Sequence, residues 1–135
     1  MQPLKTPAQA KVYTLLRAAD RDAETAGSLA QHAPHLYESI GFSCQQAAEK
    51  YLKAVLLAKN LPAPFVHDLT SLATGLAAQV QFDADDVSAA IILTAFAVKW
   101  RYENGEAPDF AVADLLLMLN RFRDKLRPLA AAFLI

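Results

Sequence analysis

Apolar residues in this chain recur every three to four positions, in blocks separated by prolines. Strict apolar–polar alternation, the mark of a half-buried strand, nowhere lasts more than a few residues. The blocks are built from the strongest helix formers: 27 alanines and 20 leucines make up about a third of the 135 residues, against four glycines. A chain patterned in this way folds as helices and buries one stripe of each against its neighbours, so the fold class is all-α.

The prolines mark where the helices stop. Pro3 and Pro7 precede the first periodic block, Pro34 ends it, Pro62 and Pro64 close the second, and Pro108 separates the fourth from the fifth. The first helix is predicted over about residues 8–32, with a stripe of Val12, Leu15, Leu16, Ala19, Ala23, Ala26 and Ala30. The second, over about 35–60, carries Leu36, Ile40, Cys44, Ala48, Tyr51, Leu52, Val55 and Leu56. A short third helix, about 68–80, has Asp68 as a candidate N-cap and Leu69, Leu72, Ala73, Leu76 and Val80 on its apolar face. The fourth, about 84–101, begins at Asp83 or Asp85 and is apolar almost all round, which predicts a central position or a partner-facing one. The fifth starts near Asp109; Leu115, Leu116, Leu119, Phe122 and Leu126 make its core face, and Leu117 and Met118 spill over the edge. The apolar tail 129–135 is expected to cover a core edge or a dimer seam. Short connections between long helices imply antiparallel neighbours: an up-and-down bundle of four main helices plus a short one, in a single domain over residues 1–135.

Charge and cysteine content narrow the function classes. Thirteen Lys and Arg against fourteen Asp and Glu leave a net charge of −1, so nucleic acid or an anionic surface can only be met by a local patch. One cysteine excludes a disulfide framework and Cys-based zinc sites, and fits a reducing cytoplasm. No secretory leader and no run of about 18 apolar residues is present, so a cytoplasmic protein without membrane spans is expected. A chain of this length buries roughly two-thirds of its unfolded surface, enough for one core.

Three polar clusters stand out. Gln46, Glu49, Lys50 and Lys53 recur at i, i+3, i+4 and i+7 on one face of the second helix. Glu49 and Lys53 also form an i,i+4 pair in the favourable order; on spacing alone, a solvated face with a stabilising pair is the favoured account. At the entry to the third helix, His67 stands beside Asp68, as a phosphate contact or general base, or as a packed residue next to a helix cap. The third cluster is Lys99-Trp100-Arg101-Tyr102, an Arg fork and an aromatic face suited to phosphate and base, or cations favoured by a helix C-terminus. Arg121, Arg123, Lys125 and Arg127 have the same C-terminal explanation. His32 and His35 flank Pro34 as surface residues, and neither a Gly-rich phosphate loop nor a metal-binding spacing occurs.

These clusters, in this order, resemble the HEPN domain family. The resemblance rests on Gln46-Ala-Ala-Glu-Lys-Tyr-Leu-Lys53, then His67-Asp-Leu69, then Arg101-Tyr102, and it covers nearly the whole chain. It implies an up-and-down helical bundle that commonly pairs into a homodimer. It also implies nucleotide or RNA binding, often beside a small nucleotidyltransferase encoded next door in a toxin–antitoxin arrangement.

One departure decides how much of the family's chemistry carries over. HEPN ribonucleases place a His four to six residues after an Arg, and two dimer-related copies form a metal-free RNA-cutting site. After Arg101 this chain reads Tyr-Glu-Asn-Gly-Glu-Ala-Pro, and neither Arg17 nor Arg21 supplies the spacing. Without that imidazole no proton-transfer group is evident for the ribose 2′-hydroxyl. The expectation is therefore a non-catalytic module, without cofactor or metal, that binds nucleotide or RNA phosphate, docks a nucleotidyltransferase partner, or does both. Gln46, Lys50, Lys53, His67, Arg101 and Tyr102 would make the contacts, with Glu49 and Asp68 orienting them. The alternatives are a metal-free ribonuclease using His67 as a displaced base, and a structural protein-interaction subunit.

Overall fold

The computed structural model describes residues 6–97 and 110–135, and these form five helices in the order α1 (Pro7–His32), α2 (Tyr37–Ala58), α3 (Leu69–Leu76), α4 (Ala84–Thr94) and α5 (Val112–Phe133). Among the described residues there is no strand, and no helix is long and apolar enough to cross a membrane. The all-α bundle expected from the periodicity is the fold observed.

Local chemistry sets most of the helix ends. Thr6 accepts a hydrogen bond from the Gln9 amide, the Gln9 side chain caps Thr6 in return, and Pro7 fills the first helical position, where no N–H is needed. Asp83 and Asp86 make the same reciprocal box at the start of α4, and Asp68 caps α3 as expected. α2 ends because Asn60 adopts a left-handed conformation (φ 57°). Its N–H donates to the Leu57 carbonyl and that of Leu61 to the Leu56 carbonyl, so the last carbonyls are satisfied before Pro62.

α2, rather than α4, is the central helix, which corrects one of the two positions expected for the fourth. It packs against all four other helices and buries residues around most of its circumference, including Gly41, Ala47, Ala48 and Ala54, whose small size lets neighbours approach closely. Leu36, expected in its apolar stripe, is exposed. α4 has only 11 residues and leaves Val87 and Ile91 in solvent. It also stops earlier than the residue 101 predicted. The Thr94 hydroxyl donates back to the Ala90 carbonyl and accepts from the Leu69 amide, and the chain tightens into turns over 95–97.

α5 carries Pro128 within it and does not break there. The carbonyl deprived of its partner by the proline ring is that of Asp124, which is exposed and can be hydrated, so the helix continues to Phe133. The tail does cover a core edge: Ala130 is buried, Leu129 and Phe133 pack against the core, and Gln9 donates to the Phe133 carbonyl.

Candidate functional site

The middle of α2 carries a polar network inside an otherwise apolar core. Gln45 is fully buried and Glu49 is 5% exposed, yet both are hydrogen-bonded. The Gln45 amide donates to Glu49 Oε1 (3.1 Å) and to the backbone carbonyl of His67 (2.9 Å). Gln46 donates to the Gln45 oxygen (2.6 Å). Glu49 Oε1 also meets His67 Nδ1 at 2.8 Å, and its second oxygen accepts from Lys53 Nζ at 3.1 Å. The network thus pins the loop before α3 to the second turn of the motif on α2.

Burial alone would raise the Glu49 pKa. Hydrogen bonds from His67, Gln45 and Lys53, with the Lys53 charge, outweigh it and hold the carboxyl below the ordinary carboxylate range. An ionised carboxylate only accepts, so Nδ1 of His67 carries the shared proton and Nε2 is left without a partner among the described residues. The imidazole is 64% exposed, and two residues away the ring of Phe65 is fully in solvent. The geometry presents one oriented ring nitrogen to solvent, on a carboxylate that also holds a lysine.

The structure brings Gln46, Glu49, Lys53 and His67 into this one network and separates others from it. Lys50 turns to α1 and pairs with Asp22 at 2.5 Å, and the Asp68 carboxylate is taken up by the Thr70 amide and the Ser71 hydroxyl. Arg101 and Tyr102 lie outside the described residues. The solvated-face explanation of Glu49 is corrected: α3 and its entry loop cover that side of α2. Gln45 was not singled out from the sequence, although its i,i+4 spacing to Glu49 was a usable signal.

The C-terminal explanation of the basic run is corrected too. Because α5 continues to Phe133, these cations stand in mid-helix, and three of the four divide between two acidic neighbours. Arg121 and Lys125 reach the capping box of α4, Arg121 bonding Asp83 (2.9 Å) and Asp86 (3.0 Å) and Lys125 bonding Asp86. Arg127 makes a forked pair with Asp20 of α1, which also accepts from the buried Tyr51 hydroxyl at 2.6 Å. Among the described residues no three His, Cys, Asp or Glu side chains form a group able to hold a metal.

The arrangement of the second-helix motif against the His67 loop, in an all-α bundle, is matched at the level of sequence. The family model for the HEPN domain matches residues 12–124, most of the chain. The chain belongs to the HEPN domain family. Two solved structures share the HEPN fold seen here. TT1696 from Thermus thermophilus is 24% identical with a TM-score of 0.63, the match covering 91% of this chain and 95% of that one. ST0689, an archaeal HEPN homologue, is 22% identical with a TM-score of 0.64, covering 90% and 97% respectively. No curated protein matches this chain.

Proposed function

We propose that this HEPN domain is a non-catalytic module that binds the phosphate of a nucleotide or RNA beside His67. The observation that carries the reading is the buried, ionised Glu49 holding both His67 and Lys53 while the imidazole remains 64% exposed. Lys53 offsets the Glu49 charge, so the surface at His67 is close to neutral and gains a second N–H donor when His67 is protonated. Phe65 supplies a stacking face beside it. Arg101 and Tyr102 join the site in this reading on the strength of their place in the family motif. The module works in the cytoplasm, pairs with a second copy, and docks a nucleotidyltransferase in a toxin–antitoxin arrangement.

The test is equilibrium binding of ATP and of a short single-stranded RNA to the purified protein. His67→Ala/Lys53→Ala and Lys53→Ala/Arg101→Ala are the controls. Binding that both double variants lose supports the site. Binding that survives in both, or no binding to either ligand, overturns it. If RNA is held by only a few cations, the salt dependence will be shallow.

One observation favours a second reading. A carboxylate that holds Nδ1 of an exposed imidazole leaves Nε2 as a base, the orientation a general base requires. A metal-free ribonuclease built on His67 needs that ring to approach Arg101 of its own or a partner chain. RNA cleavage abolished by His67→Ala would establish it, and an intact substrate after incubation with the native protein would exclude it.

A further inference from the structure

Away from the His67 site, α4 and α5 diverge to leave an open trough of about 880 Å³. Its floor is apolar, from Ala89, Ile92, Phe110, Leu117 and Met118. Leu117, among them, is 62% exposed. Burying so exposed an apolar side chain is favourable, and one standing in an apolar trough marks a contact surface.

The rim is acidic. Five aspartates and two cations line the trough. Both cations are already engaged, Arg121 by Asp83 and Asp86 and Lys125 by Asp86. Asp114 and Asp124, at opposite ends of the α5 stripe, are exposed and form no ion pair among the described residues. Asp85, 84% exposed, lies only at the margin of Arg121, 3.8 Å away.

We propose that this trough docks an amphipathic helix of a partner protein whose apolar stripe is flanked by Lys or Arg. The groove between two helices offers no unpaired backbone for a strand to add to, whereas it suits the apolar face of a third helix. The stripe from Asp114 to Lys125 spans roughly 16 Å, about three helical turns. An anionic membrane or RNA backbone would be repelled by the rim. A second copy seated about a twofold axis would set the acidic rim against itself. This assignment rests on the partner-docking part of the proposed function and is independent of the anion site.

The test uses two synthetic helical peptides of about 14 residues with leucines at i, i+3, i+4 and i+7, one flanked by lysines and one by glutamates. Anisotropy titrations are run against the native protein, Leu117→Glu, and Asp114→Asn/Asp124→Asn. The lysine peptide is expected to bind at least tenfold more tightly than the glutamate peptide. Leu117→Glu should abolish binding, and the double asparagine variant should weaken it roughly threefold to tenfold. ATP and RNA binding should be the same in all three proteins. Lysine-peptide binding indifferent to these substitutions overturns the trough as the site but leaves a docking module standing. No binding of either peptide by a monomeric protein overturns both. A dimer in sedimentation that Leu117→Glu dissociates assigns the trough to a second copy and overturns the helix proposal.

Discussion

His67 Nδ1, at the exposed entry to α3, lies 2.8 Å from Oε1 of Glu49, which is buried midway along α2. The contact joins residues 18 positions apart, and the same carboxylate holds Gln45 and Lys53. Glu49→Ala removes the acceptor from all three donors and leaves Lys53, 15% exposed, without its counter-ion. The expected cost is about 3 kcal/mol in urea unfolding. Glu49→Gln, which keeps the shape and one oxygen, should cost less. An alanine variant as stable as the native protein would show that the network contributes nothing net.

The same carboxylate governs the response to acid. Glu49 and Asp20 are both held below their ordinary pKa values, against the opposing effect of burial, by His67, Gln45 and Lys53 in one case and by Arg127, Tyr51 and Arg123 in the other. The unfolded chain therefore takes up protons at these positions before the folded one does. Their stabilisation is complete above the unfolded carboxylate values, near about 4, and is lost as pH falls through the lower folded values. Urea midpoints measured from pH 7 down to pH 3 should fall in that lower window, and less steeply in Glu49→Gln. Stability that rises on acidification would contradict the assignment.

Gly41 sits where α2 meets the ring of Phe96, and a Cβ there would overlap that ring. Phe96 is fully buried and stacks edge-on with Tyr37, centroids 5.6 Å apart, so it has little room to move. Gly41→Ala should cost about 2 kcal/mol, despite the better helix propensity of alanine. Thermal unfolding decides the sign; Gly41→Ala/Phe96→Leu should recover part of the loss.

Tyr51 and Arg127 meet on Asp20, tying α1, α2 and α5 together. Tyr51→Phe removes one donor and should cost about 1 kcal/mol. Asp20→Ala should cost more, because it strands a buried hydroxyl as well as a guanidinium. A double-mutant cycle between Asp20 and Arg127 will give their coupling directly; equal effects of Tyr51→Phe and Asp20→Ala would argue against a shared node.

Burial pushes the Cys44 thiol up to about 12, so the thiolate is scarce in the folded protein at any ordinary pH. Alkylation by iodoacetamide at pH 8 should proceed only through unfolding and accelerate in step with added urea. Rapid labelling of the native protein would place the residue nearer the surface than it is.

Much of the bundle was legible as periodicity. Val12, Leu16, Ala19, Ala23 and Ala26 of α1, and Leu115, Leu119, Phe122 and Leu126 of α5, are buried as their spacing predicts. Asp68 and the Asp83 box declare helix starts because a cap acts within three residues of itself. Pro128 shows the limit of a local signal, since a helix tolerates a proline where the freed carbonyl meets water and the following residues still have a core to cover.

The candidate site divides along the same line. The Gln-Ala-Ala-Glu-Lys motif and the His-Asp-Leu entry were visible, and with them the family. That Glu49 is buried rather than solvated depends on the loop before α3 folding back onto α2, which no i,i+4 spacing can reveal. Lys50 and Lys53 show the difference most plainly: three residues apart on one helix, they answer to Asp22 of α1 and to Glu49 of α2 itself. Local spacing and propensity act within a turn or two of the chain, and they were enough to dictate the helices, most of their caps and their apolar faces. Which polar groups meet inside the bundle was left to the packing of those helices, because desolvating a charge is tolerable only where the fold delivers partners for it.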